Sequence, residues 1–142
     1  MSEKSLIDQS GVFAYRRHGK ILQVMLVRSL DRRRWVLPKG HIEKGLTMRE
    51  SAIVEAYEEA GVVGDTAKKM IGYFDYFKSE RKGGDEYRVH VYAMKVTRVL
   101  DDWPEANKRK RKWMSVEIAI ELVKEKKLQK LLDQFDKKMA AG

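Results

Sequence analysis

Two short apolar runs, Gly11–Tyr15 and Ile21–Val27, stand either side of the polar stretch Arg16-Arg17-His18-Gly19-Lys20. Blocks of this length joined by a glycine-bearing connection predict a β-hairpin. "RRRWVLPKG", residues 32–40, predicts a short strand running into a loop, with Pro38 and Gly40 as breakers. From Thr47 the spacing becomes helical. Ala52, Ala56 and Ala60 recur every four residues with Ile53 and Tyr57 beside them, small enough for close approach to a sheet. Glu55, Glu58 and Glu59, with Ser51 among them, fall on the opposite side. Thr47 and Glu50 stand in the T-x-x-E relation of a capping box, and Gly61 sits where a C-terminal cap is expected.

Strand-like composition returns in "KKMIGYFDYFKS" and "EYRVHVYAMKVTRVL", joined by the turn-prone "ERKGGDE". "DDWPEANKRKRKW" reads as an exposed basic loop running into a strand that starts at Trp113. From Ser115 onward, Ile118, Leu122, Leu128, Leu131, Leu132 and Phe135 recur at helical spacing, which predicts a closing helix with a break near Lys126–Lys127. The order hairpin, strand, helix, strands, helix predicts an α/β fold: a mixed sheet with helices packed on its faces. No repeat, low-complexity tract or Pro/Gly linker divides residues 1–142, so one domain is expected.

At 142 residues and 43% hydrophobic content the chain can build one core. No run approaches the roughly 18 apolar residues of a membrane span, and "MSEKSLIDQSGVF" lacks the apolar stretch of a signal peptide. Without cysteine there is no thiolate ligand or nucleophile. The simplest expectation is a soluble cytoplasmic protein. The 30 Lys and Arg against 21 Asp and Glu, net charge +9, favour polyanionic partners such as phosphates or nucleic acid.

Against that balance, three glutamates crowd one turn of helix, at a cost of a few tenths of a kcal/mol for each like-charge pair at i,i+4. A solvated acidic face is the blander explanation. Two features favour a cation instead: the cluster is local in a basic chain, and it follows a glycine-containing loop that can bring backbone close to a ligand. Clustered carboxylates are the hard ligands that Mg²⁺ or Mn²⁺ prefers. Such an ion would offset the repulsion, polarise a phosphoryl group and lower the pKa of an attacking water.

The residues also carry a resemblance. Gly40, Glu55, Glu58, Glu59, Gly61 and Val62 resemble the Nudix hydrolase signature, G-x5-E-x7-R-E-U-x-E-E-x-G-U, where U is a bulky apolar residue. The resemblance implies an α/β/α sandwich around a mixed sheet, and Mg²⁺- or Mn²⁺-dependent hydrolysis of a diphosphate linkage. It implies metal binding by Glu55, Glu58 and Glu59, with Glu58 also assisting the attacking water as a catalytic residue. The chain departs from the signature at Leu46, where the family has its first glutamate, at Val54, where it has arginine, and at the small Ala56. Loss of both polar partners together can be roughly neutral for folding. It predicts a Glu55 that is less tightly oriented.

"RVHVYAMKVTRVLDDWPEANKRKRKWMSVEIAIELV" is similar to the second half of the diphosphoinositol polyphosphate phosphohydrolase branch, and the whole resemblance covers most of residues 11–125. Members cleave diphosphates on inositol polyphosphates, and several also cleave diadenosine polyphosphates. Arg28, Arg34, Arg88, Arg109 and Arg111 line up with basic positions of that branch. With Lys39 and Gly40 they form the expected substrate phosphate-binding set, although each cation taken alone also reads as a solvated surface charge. Asp8, Gln9 and Ser10 stand where the branch has a basic cluster, so a nucleotide with a shorter phosphate chain suits the sequence nearly as well. Asp85 and Glu86 follow Gly83-Gly84 and offer a ligand or base from outside the signature, with Glu86 the expected catalytic residue. The expected partner is a polyphosphorylated small molecule, with nucleic acid entering only as an RNA 5′ end. Two rival readings remain: a non-catalytic nucleotide- or polyphosphate-binding module with a degenerate signature, and an RNA-binding protein using "RRR" and "KRKRK".

Overall fold

The computed structural model describes residues 6–29, 34–77 and 85–141. Strands β1 (Leu6–His18) and β2 (Ile21–Ser29) form the expected hairpin, closed at Gly19 with φ of 64°, a left-handed turn position that favours glycine. β3 (Lys39–His41) pairs with β1 and leads into helix α1 (Met48–Glu55). Then come β4 (Val62–Thr66), β5 (Gly72–Phe77), the long β6 (Glu86–Val99) and β7 (Arg109–Ser115), followed by helices α2 (Val116–Leu122) and α3 (Lys126–Ala141).

The sheet runs β4-β6-β1-β2-β7, with β5 on β6 and β3 on β1. It is mixed: β1 lies parallel to β6 from Leu6–Glu86 to Tyr15–Lys95, and the other pairings are antiparallel. Alternation along the strands divides the interior in two. Phe13, Val24, Leu26, Val89 and Val91 face a core closed by Ala119, Leu128, Leu132 and Phe135 of α2 and α3. Val12, Ala14, Met25, Val27, Tyr92 and Met94 face a second core closed by Ala52, Ala56 and Ala60. Helices on both faces of a mixed sheet give the α/β/α sandwich expected from the sequence. No helix among the described residues is long and apolar enough to cross a membrane.

Four local expectations shift. The strand expected in "RRRWVLPKG" reduces to one bridge, Val27–Val36, followed by β3, while Arg32 and Arg33 lie outside the described residues. β7 begins at Arg109, four residues before Trp113, because its pairing with β2 runs from Ser29–Arg109 to Gln23–Ser115 and outweighs the low strand propensity of clustered charge. The break in the closing helix falls at residues 123–125, where Val123 turns extended and buries its side chain. Tyr57, expected beside the alanines, is 43% exposed. After Glu55 the helix widens into a π-helical turn, Ala56–Ala60, which ends on Gly61 at φ of 64°. That extra residue per turn rotates the following side chains, and such turns recur at functional sites.

The capping box forms as read. Thr47 Oγ1 accepts from the Glu50 N–H at 3.0 Å, and the Glu50 carboxylate accepts from the Thr47 N–H at 2.9 Å. Thr47→Ala should destabilise the fold by about 1 kcal/mol in urea unfolding, since it removes one of the two reciprocal bonds.

Candidate functional site

The π-helical turn aims its carboxylates at the loop that precedes α1. Glu59 is buried, and its two oxygens are both engaged: the Lys39 N–H donates to Oε1 at 2.9 Å, and Arg109 donates to Oε2 at 2.8 Å. Arg109 also donates to Glu105 at 2.8 Å. Glu55, only 9% exposed, receives no hydrogen bond or ion pair from any described residue, and its carboxylate presses against Gly40. A Cβ at position 40 would fall inside that carboxylate, so glycine here is a requirement of close approach. One oxygen each from Glu43, Glu55 and Glu58 lies within 4.8 Å of the other two.

Burial first, and then the charges of Glu59, Glu58, Glu105 and Glu43, push the Glu55 carboxyl up to about 8. Burial also pushes Glu59 up to about 7, against the opposing pull of Arg109 and the Lys39 N–H. Both values lie above the ordinary 4.5, so the protonated forms favour folding. Stability from these two groups is fully present below about pH 4.5 and is lost as pH rises through 7 and then 8. In EDTA, the melting temperature should therefore be lower at about pH 9 than at about pH 5, and Glu55→Gln should shrink that difference. Equal slopes in the two proteins would remove Glu55 as the cause.

The C-terminal end of this acidic helix is tied down by one segment, residues 100–111. Glu105 N–H donates to the Glu58 carbonyl at 3.0 Å, Trp103 Nε1 to Glu59 at 2.9 Å, Arg111 to Ala60 at 2.8 Å and Leu100 N–H to Gly61 at 2.8 Å. These are the carbonyls that a helix end leaves without partners. Arg111 also lies 3.8 Å over the Trp103 ring.

The expected phosphate-binding set therefore divides. Gly40 and Lys39 lie at the carboxylates. Lys39 Nζ donates to the Tyr76 hydroxyl at 2.8 Å, which donates to Gln9 at 2.8 Å, and burial lowers the lysine pKa. Arg109 is committed to Glu59 and Glu105, and Arg111 to the helix end. Arg88 grips Asp75 with two bonds of 2.9 and 3.1 Å, and Lys127 meets the same carboxylate at 3.0 Å. Arg28 rests 5.4 Å over Trp35 with its Nε buried and unpartnered among the described residues, while Arg34 is exposed. Glu86 heads β6, half-buried and paired with Leu6 and Phe77, and is not among the three carboxylates that converge. His41 is exposed, and His90 pairs with Asp8 at 2.9 Å.

Sequence reading missed Glu43, Glu105, Trp103 and Glu125. Glu125 leaves Oε2 buried without a partner, and its charge acts on Lys39. Glu105 had one local signal, its i,i+4 relation to Arg109.

A glycine loop and an acidic helix end that converge beside the central strand β1 form a candidate site for a cation. The donor chemistry fits a hard divalent ion: three carboxylates approach one another, and the buried one has no other partner among the described residues. The NUDIX domain model matches residues 7–138, and the chain belongs to the Nudix hydrolase family. Nudix hydrolase 12, mitochondrial, of Arabidopsis thaliana is 36% identical over 118 residues, covering 80% of this chain and 58% of that protein. Human diphosphoinositol polyphosphate phosphohydrolase 3-alpha is 34% identical over 113 residues, covering 78% of this chain and 64% of that protein. The chain thus spans about three fifths of these relatives' length. The fold matches a Caenorhabditis elegans Ap4A hydrolase in a binary complex with a TM-score of 0.74 at 19% identity, covering 96% of this chain and 99% of that one.

Proposed function

We propose that this domain hydrolyses a phosphoanhydride bond in a polyphosphorylated small molecule, a nucleotide such as a diadenosine polyphosphate or a diphosphoinositol polyphosphate, with Mg²⁺ or Mn²⁺. The observation that carries the reading is Glu55: a residue nine-tenths buried, without a hydrogen-bond donor or basic side chain among the described residues, its carboxylate near two further carboxylates beside a glycine loop. With its carboxyl raised to about 8, Glu55 loses its proton near neutral pH when a cation sits beside it. The ion would be held by Glu55, Glu58 and Glu59. Each Glu59 oxygen accepts one bond and keeps a lone pair free, while Arg109 and the Lys39 N–H fix its direction. When bound, the ion supplies charge neutralisation at the phosphoryl oxygens and a more acidic water.

The chain's own residues do the rest. Glu58, half-buried at the mouth, and Glu86, at the head of β6, are the two carboxylates offered to the attacking water. Lys39, held by Tyr76 and already partly desolvated, places a positive charge where negative charge develops on the phosphates. Arg28 and Arg34 are the expected arginines with neither a hydrogen bond nor an ion pair among the described residues, so they are proposed to grip the outer phosphates. Names of the relatives support both substrate classes, as does the net charge of +9. The test is phosphate release from a panel of diadenosine and diphosphoinositol polyphosphates with each divalent ion, comparing wild type with Glu59→Gln. Equal turnover in the two proteins sinks the assignment, and no turnover with any substrate favours the non-catalytic binding module.

A further inference from the structure

We infer that Asp75 decides the substrate class: it withholds Arg88 and Lys127 from phosphate and so selects a linear nucleoside polyphosphate over a ring phosphorylated on every side. This rests on the hydrolytic reading above. The strand registers place Asp75 and Arg88 on the same face of the sheet as the Glu55 carboxylate. Gly40 of β3 pairs with Ser10 of β1, Ser10 with His90 of β6, and His90 with Tyr73 of β5. Two residues further along, Asp8, Arg88 and Asp75 pair in the same order. Side chains two apart on a strand share a face, and a Cβ at Gly40 would point into the Glu55 carboxylate. Two strand spacings across and two residues along put Arg88 roughly 12 Å from Gly40, within reach of a bound polyphosphate.

A free arginine there would grip phosphate, but this one is taken. Arg88 donates to the two Asp75 oxygens at 2.9 and 3.1 Å, and Lys127, near the start of α3, donates to Oδ2 at 3.0 Å. The paired fork is the geometry that arginine otherwise offers to phosphate. Both cations also lie over the Tyr73 ring, at 4.1 and 6.0 Å. The Asp75 side chain is 9% exposed, and hydrogen bonds from Arg88 and then Lys127 hold its carboxyl below the ordinary value. Asp8 takes His90 at 2.9 Å, so the charges along this row answer one another. Of the expected phosphate-binding cations, the side chains of Arg28, Arg34 and Lys39 remain uncommitted to a carboxylate or helix carbonyl among the described residues. They come from one stretch of chain. A ring with phosphates on every side needs cations around it, whereas a linear chain can be held from one side.

The experiment measures kcat/KM for diadenosine tetraphosphate and a diphosphoinositol pentakisphosphate with Mg²⁺. Calorimetry in EDTA adds the affinities for diadenosine tetraphosphate and inositol hexakisphosphate. The proteins are wild type, Asp75→Asn, Asp75→Asn with Arg88→Ala, and Asp133→Asn on α3 as a charge control. Wild type should favour the nucleotide in kcat/KM. Asp75→Asn should shift both ratios toward the inositol compounds about tenfold or more, because it frees a charged hydrogen-bonding group. Adding Arg88→Ala should abolish the shift, and Asp133→Asn should match wild type. Lys127→Met, at a site 60% exposed, is the independent check: both wild-type affinities should hold within about threefold if Lys127 is withheld from the ligand. A wild-type preference for the inositol compound overturns the assigned class. Unchanged ratios in Asp75→Asn, a shift shared by Asp133→Asn, or a loss of affinity in Lys127→Met overturns the role of Asp75. If wild type cleaves neither compound, the hydrolytic reading fails by itself and the EDTA titrations decide this one.

Discussion

Glu55→Gln is expected to lower metal-dependent turnover by about two to three orders of magnitude, while the metal-free protein becomes at least as stable at alkaline pH. The size follows from the several kcal/mol that a correctly placed ion contributes, at about 1.4 kcal/mol for each factor of ten. The direction of the stability change follows from the surroundings. Glu55 is buried against Gly40, unpartnered among the described residues, and feels the charges of Glu59, Glu58, Glu105 and Glu43, so its charge opposes folding until a cation arrives. Glutamine keeps the shape and removes the charge. Phosphate release and urea unfolding in EDTA at about pH 8 would show both effects. Turnover within a few-fold of wild type, or a clear loss of metal-free stability, contradicts this role.

Arg109→Ala is the second large effect. It should destabilise the protein by about 2–4 kcal/mol above neutral pH and cut turnover about ten- to a hundredfold. Breaking a buried pair leaves its partner charged and unsatisfied, and the Glu59 side chain is 8% exposed against 24% for Arg109. Proton uptake offers Glu59 an escape. Its carboxyl already sits at about 7 with Arg109 present, and removing that cation raises it further. The destabilisation should therefore shrink as pH falls below 7, which denaturant melts across pH would detect. Arg109→Lys should rescue only part of the loss, because an ammonium cannot span Glu59 and Glu105 in the planar fork that arginine uses.

Local features of this fold were legible in advance. The hairpin, the Thr47–Glu50 box, the Gly61 cap and the alanine stripe all rest on contacts within a few residues, so composition and spacing reveal them. The crowding of Glu55, Glu58 and Glu59 was equally visible. The cations were read less completely. Arg88, Arg109 and Arg111 follow a plausible phosphate-binding pattern, yet each already has an internal partner: Asp75, Glu59 with Glu105, and the Ala60 carbonyl. Apart from Glu105, four residues from Arg109, these partners lie 13 to 51 positions away. No periodicity links them.

The amino-acid order alone determined that an acidic helix end would follow a glycine loop on a two-faced mixed sheet, because turn chemistry and side-chain alternation act over neighbouring residues. Tertiary structure decided which carboxylate is left buried without a partner among the described residues, which is paired with arginine, and that Glu43 of the preceding loop comes near Glu55 and Glu58. Those outcomes depend on desolvation and on distances of a few ångströms between distant segments. Such distances exist only once the sheet has brought the strands together.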